Sequence, residues 1–312
     1  MRIASLDLGT NLFKIIVAQI IDNKIDIQFR VDLPVNMAKG GINNNMILPD
    51  AIIRAKNALK TIKENILNYY KPDIVLGNAT SAVRSSTNGH LIMDYANEIG
   101  LQQLNVISGD REAELIYYGV KQATEMTANY DLLIDIGGGS TEFIIANNNS
   151  IAWKHSYNLG VTRLSEKFSP SDPILLHEIA RIEGYLDDQL TDLYFQVQKY
   201  NCTRLIGATG SFDTIQEMVA HQYKLPAAPV YQHYEYIDIE QFRTIFGLLK
   251  SSTSTQRANM PGMSIMRVDH LTIGCILVDF VLQKTKINQL LKSDYAMNEG
   301  TISEYINKMS IV

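Results

Sequence analysis

The sequence predicts an α/β protein built from two related domains that face each other. Three observations predict it. First, one device occurs twice, at Asp7-Leu-Gly-Thr-Asn11 and at Asp135-Ile-Gly-Gly-Gly-Ser-Thr141. In each copy an apolar run carries an Asp at its end, then a Gly-rich turn with a hydroxyl residue, then a returning strand. Second, short apolar runs of strand type alternate along the chain with segments of helical apolar spacing. Third, 312 residues that are 46% hydrophobic and 20% charged suffice for one large core or two ordinary ones.

Composition excludes several classes of function. A formal net charge of −5 argues against a general nucleic-acid binder, so an anionic substrate needs local cations and a metal. No apolar run approaches the membrane-spanning length, and the first residues already read as a strand. A soluble cytoplasmic protein without membrane or nucleic-acid partners is expected. Cys202 and Cys275 lack motif spacing and read as reduced core residues. His155, His221, His233 and His270 show no metal-ligand spacing.

In chain order, Ile3–Leu8 is a strand containing Asp7, followed by Gly9, Thr10 and Asn11. Leu12–Ile21 returns, Asp22-Asn23-Lys24 turns, and Ile25–Val31 is a third strand. Asp50–Tyr70 has helical spacing after a proline. Asp73–Gly77 is a buried-type strand that runs into Ala79-Thr-Ser-Ala-Val-Arg84, a stretch of small and hydroxyl residues ending in a guanidinium suited to phosphate. A helix over Ser86–Ile99 and a strand over Leu104–Ile107 follow. Ser108-Gly109-Asp110-Arg111-Glu112 opens the next helix, with Asp110 as its expected N-cap. On the residues alone, Glu112 reads as a first-turn acid that complements the helix dipole.

Leu132–Phe143 is the central stretch. Its strand carries Asp135, suited to a divalent cation or a water. Gly137, Gly138 and Gly139 let backbone N–H groups approach an anion, and Ser140, Thr141 and Glu142 follow. A plain hairpin turn uses the same glycines, so the triplet alone leaves both readings open. Ile151–Tyr157 returns, Ser171–Tyr194 is largely helical, and Thr203–Ile206 is a strand. Gly207, Thr209, Gly210 and Ser211 then open a helix whose N-terminus can face an anion. Leu225–His233, with Pro226 and Pro229, is a loop. A helix over Ile239–Lys250, a strongly apolar helix after Arg267 and Asp269, a strand over Gln289–Leu291 and a terminal helix over Tyr295–Met309 complete the chain.

Seven ordered motifs carry a resemblance across nearly the whole chain. They are Asp7–Asn11, Ala79–Arg84, Ile107-Ser-Gly-Asp-Arg-Glu-Ala113, Asp135–Glu142, Gly207–Ser211, Arg267-Val-Asp269 and Ala296-Met-Asn-Glu-Gly300. Together they resemble the exopolyphosphatase / guanosine pentaphosphate phosphatase family, in the superfamily of actin, sugar kinases and acetate kinase. Neither a GxxxxGK[ST] P-loop nor a GxGxxG dinucleotide motif is present.

The resemblance implies two ribonuclease-H-like domains across a cleft, residues 1–124 and 125–312, with the segment 295–312 packing back on the first. It implies Mg²⁺-assisted hydrolysis of a terminal phosphoanhydride of polyphosphate or guanosine pentaphosphate, with a homodimer as the candidate assembly. Glu112 becomes the catalytic carboxylate and Glu142 the second one. Asp135 and Asp7 become metal-side acids. Asn11, Arg84, Gly137, Gly138, Gly139, Ser140, Thr141, Gly207, Thr209, Gly210, Ser211 and Arg267 become phosphate ligands.

Three departures stand out. The order Arg111-Glu112-Ala113-Glu114 swaps the charges the family often places around the key Glu, Leu12 replaces a small hydroxyl residue, and Lys14 stands where His is frequent. The swapped charges keep open a non-catalytic phosphate or nucleotide sensor on the same fold.

Overall fold

The computed structural model describes residues 1–208 and 210–309. Thr209, one of the expected phosphate ligands, lies outside the described residues, as do residues 310–312 of the C-terminal segment. The chain divides into two compact units. The first holds Met1–Gln122, the Gly137–Gly139 turn and the described residues from Ala296 onward. The second holds Ala123–Ile136 and Ser140–Tyr295.

The first unit is built on β1 (Arg2–Leu8), β2 (Leu12–Ile21), β3 (Lys24–Pro34), β4 (Ile74–Ala79) and β5 (Leu104–Val106), in the order β3-β2-β1-β4-β5. β1, β2 and β3 form an antiparallel meander, whereas β4 and β5 run parallel to β1. β1 alternates as the pleat requires. Ala4, Leu6 and Leu8 pack into one core with the Pro49–Thr61 helix. Ile3 faces the opposite side, where Ile16 and Ala18 meet Ile302 and Ile306 of the C-terminal helix Met297–Met309.

The second unit is built on β6 (Asp131–Ile136), β7 (Thr141–Ala146), β8 (Ile151–Tyr157), β9 (Arg204–Ala208), β10 (Tyr234–Ile237) and β11 (Gln289–Ser293). Their order is β10-β11-β9-β6-β7-β8. Read from β8, this repeats the first sheet: an antiparallel meander β6-β7-β8, then β9 and β11 parallel to β6. Both sheets therefore have the ribonuclease-H-like order, and the repeated Asp–Gly device marks the first hairpin of each. The helix Leu271–Thr285 is buried all round from Leu271 to Leu282, as its apolar sequence demands. It packs with Leu132, Ile134 and Phe143 in the core of this unit.

Several local expectations are corrected. Asp50–Tyr70 is not one regular helix, because a π-helical turn occupies Ile62–Leu67. Ser86–Ile99 shortens to His90–Glu98, and a separate turn of helix forms at Ser81–Ser85. Ser171–Tyr194 is two helices, Leu176–Gln189 and Thr191–Tyr200. Asp110 is not the N-cap of its helix. Gly109 is already helical, and the Ser108 hydroxyl accepts from the Arg111 N–H at 3.1 Å. β10 went unread because four residues at a sheet edge, paired only with β11, carry too short an apolar signal.

Candidate active site

In the first unit the site is assembled at the carboxyl end of β1 and β4. Asp7 ends β1 opposite Lys14, and Lys14 in turn lies opposite Asp32 of β3. Directly opposed residues on antiparallel strands share a face with Cβ atoms roughly 5 Å apart, so Lys14 is flanked by two carboxylates. Lys14 thus stands directly beside Asp7 on the hairpin.

The Gly137–Gly139 turn belongs with this unit. A Cβ on Gly139 would stand 2.5 Å from Ser81 Oγ and 3.0 Å from Thr10 Oγ1. One on Gly138 would stand 2.8 Å from the Asn11 amide. The missing side chains let the turn approach hydroxyl and amide groups of two other loops, a constraint that the reading of Gly137–Gly139 as a bare anion cradle did not contain.

The pair that organises this unit is Arg84 and Glu112. Arg84 ends the short Ser81–Ser85 helix, and Glu112 sits in the first turn of the Gly109–Ala123 helix. The Arg84 guanidinium donates to Glu112 Oε2 at 2.9 Å and, through the same nitrogen, to the Ile107 carbonyl at 3.0 Å. Glu112 is 8% exposed, so this ion pair is largely withdrawn from solvent. Two residues 28 apart in sequence are thereby one device.

In the second unit Asp135 and Glu142 are register partners on β6 and β7. Two carboxylates side by side on one face destabilise a hairpin unless positive charge joins them. Glu142 is buried, and its Oε1 accepts from Ser156 Oγ of β8 at 2.6 Å. These oxygen donors fit Mg²⁺, which takes one or two carboxylates and keeps its other positions for water and substrate phosphate. Among the described residues no group of three or more His, Cys, Asp or Glu side chains forms a metal cluster. Asp7, facing Lys14, belongs to no such pair of its hairpin.

The model of the Ppx/GppA phosphatase family matches residues 16–309. The chain belongs to the Ppx/GppA phosphatase family. It is accordingly an enzyme of the phosphatase type. A crystal structure of an exopolyphosphatase from Cytophaga hutchinsonii is 33% identical, with a TM-score of 0.94 over 99% of this chain and 98% of that one. A Haemophilus influenzae protein provisionally named an exopolyphosphatase is 27% identical over 302 residues, covering 96% of this chain and 90% of that relative. A guanosine-5'-triphosphate,3'-diphosphate pyrophosphatase of Vibrio campbellii is 25% identical across 98% of this chain, which spans 59% of that relative's length.

Within this Ppx/GppA chain the second Gly loop follows β9. Gly210 has φ +57°, a conformation that favours glycine. Its N–H donates to Asp213 Oδ2 at 2.9 Å. A Cβ there would stand 2.6 Å from the Arg267 guanidinium, so Arg267 lies over the loop. Lys292 of β11 is pulled down by burial, but the carboxylates of Asp294, Asp213 and Glu235 outweigh burial and hold its ammonium firmly charged. Gly207, by contrast, makes room for Phe212: a Cβ would enter the ring at 2.2 Å. Ser211 is buried, with its hydroxyl 3.3 Å from where a Cβ on Gly274 would stand. Ser140 and Thr141 are buried, and Thr141 Oγ1 donates to the Leu159 carbonyl at 3.0 Å. Sequence reasoning missed Ser156 and Lys292. Each reaches its partner only through strand pairing or loop approach, and no local signal announces such contacts.

Proposed function

We propose that this chain hydrolyses the terminal phosphoanhydride of inorganic polyphosphate or guanosine pentaphosphate with Mg²⁺. The observation that carries the reading is the Arg84–Glu112 pair, withdrawn from solvent at a helix N-terminus. Names borne by the relatives supply the substrate class.

Glu112 accepts a hydrogen bond from the attacking water and aligns it with the terminal phosphorus. The water oxygen bonds to phosphorus, the bridging P–O bond breaks, one water proton stays on the released inorganic phosphate and the other passes to solvent, and the product is one phosphate shorter. The transition state is loose and needs positioning and charge stabilisation more than covalent help. Arg84 fixes Glu112 with one nitrogen and offers its remaining N–H groups to phosphate oxygens. N–H groups and hydroxyls of the Gly9–Asn11 and Gly137–Gly139 turns bind phosphate oxygens, and Arg267 with the Gly210 loop does the same in the second unit. Asp135 and Glu142 would hold Mg²⁺, which would supply charge neutralisation at the phosphates. A carboxylate at a helix N-terminus is favoured as the anion, so Glu112 orients water rather than storing a proton.

The ion pairs of the swapped flank of Glu112 support the hydrolase reading over a non-catalytic sensor. Arg111 pairs with Glu304 and with Glu114, so its charge is balanced outside the site. The test is phosphate release with Mg²⁺ from short polyphosphate, long polyphosphate and guanosine pentaphosphate, wild type beside Glu112→Gln. Release that falls about a hundredfold or more in the variant supports the assignment. Full activity in the variant overturns it, and binding without release from any substrate moves the reading to the sensor.

A further inference from the structure

The Gly109–Ala123 helix carries Glu112, and one stripe of that helix is fastened to the C-terminal helix. Arg111, Leu115, Gly119 and Gln122 recur at helical spacing and share a face. Arg111 Nη2 donates to Glu304. A Cβ on Gly300 would stand 1.7 Å from the Leu115 carbonyl oxygen, and one on Gly119 1.9 Å from that of Ala296, so the two backbones touch. Gln122 Nε2 donates to Ser303 Oγ at 3.0 Å. Glu112 is one residue from this stripe, about 100° around the helix.

The C-terminal helix is itself bolted to three strands of the first sheet. Ser5 Oγ of β1 donates to Asn298 Oδ1 at 2.8 Å, Arg30 Nη2 of β3 to Glu299 Oε1 at 2.6 Å, and Asn78 Nδ2 of β4 to Thr301 Oγ1 at 3.0 Å. The sheet thus sets the C-terminal helix, and that helix sets the azimuth of the one bearing Glu112. Of the stripe's contacts, only the Arg111–Glu304 pair lies in the same first turn as Glu112.

We propose that Glu304, through Arg111, is a positioning residue for hydrolysis: it fixes the rotation of the Glu112 helix and so the placement of the water-orienting carboxylate. The proposal rests on the reading of Glu112 given above. A side-chain tip roughly 5–6 Å from a helix axis moves about 1 Å for each 10° of rotation. A displacement of about 1 Å at a reacting centre can cost as much as a hundredfold in rate. Arg111 is also kept from competing for Glu112, because Glu304 and Glu114 both occupy its guanidinium. Lys308 donates to the same Glu304 oxygen, 3.1 Å away, and holds it from the other side.

The test is a double-mutant cycle on the full chain, read as steady-state phosphate release at a temperature where circular dichroism shows every variant folded. Glu304→Gln is expected to lower kcat about tenfold with KM within about twofold of wild type. The same substitution in a Glu112→Gln background is expected to change kcat by less than about twofold, since the carboxylate it positions is gone. An equal loss in both backgrounds, as a general structural weakening would give, overturns the proposal. So does an unimpaired Glu304→Gln beside an inactive Glu112→Gln. Full activity in Glu112→Gln would instead overturn the reading of Glu112 and, with it, this proposal.

Discussion

Replacing Arg84 by Ala removes the cation that holds Glu112 and leaves the carboxylate in a site that is 8% exposed. Breaking a fully buried ion pair costs about 3–5 kcal/mol. Here the Arg84 side chain is 24% exposed and that of Glu112 11%, so water screens part of the loss. A discounted figure of about 2–3 kcal/mol is appropriate. If that free energy is expressed in the transition state, it corresponds to a drop in kcat/KM of roughly 30- to 150-fold at about 1.4 kcal/mol per decade. Arg84→Lys keeps the charge but loses the planar guanidinium whose other N–H groups remain for phosphate, and it is expected to lie between wild type and Arg84→Ala. The assay is initial-rate phosphate release at saturating Mg²⁺ over a range of substrate concentrations. If Arg84→Ala kept kcat/KM within about threefold of wild type, the pair would be structural and the argument from it to catalysis would fail.

Two further outcomes are expected. Asp135→Asn removes one of the two opposed carboxylates and should raise the Mg²⁺ concentration for half-maximal activity about tenfold or more, checked by Mg²⁺ titration; an unchanged midpoint would show that the cation is held elsewhere. Burial alone would raise the carboxyl of Glu304, but hydrogen bonds from Arg111 and Lys308 outweigh it and hold the group below its ordinary value near 4.5. Because the folded form binds that proton less readily than the unfolded chain, this stabilisation is complete above about pH 4.5 and is lost as pH falls through the depressed value. The thermal midpoint of wild type should therefore fall in acid, and that of Glu304→Gln should fall less steeply.

What the sequence by itself determined is whatever is written in local pattern. The repeated Asp–Gly hairpin announced two sheets of one design, because strand, carboxylate and Gly turn are contiguous at Asp7–Asn11 and Asp135–Thr141. The helix ending at Thr285 was legible as strongly apolar, and its burial from Leu271 to Leu282 accords with that composition. The order of the seven motifs sufficed for the family. The tertiary structure alone decided which of these groups act on each other. Arg84 reads by itself as a guanidinium suited to phosphate and Glu112 as a dipole-complementing acid, and they join because the parallel neighbours β4 and β5 bring the Ser81–Ser85 helix beside the start of the Gly109–Ala123 helix. The odd charge order around Glu112 finds its counterpart 193 residues away in Glu304, on a helix held to β1, β3 and β4. A hydrogen bond is set by angstroms in space and a helix azimuth by a few degrees, and neither leaves a trace in the spacing of residues so far apart in the chain.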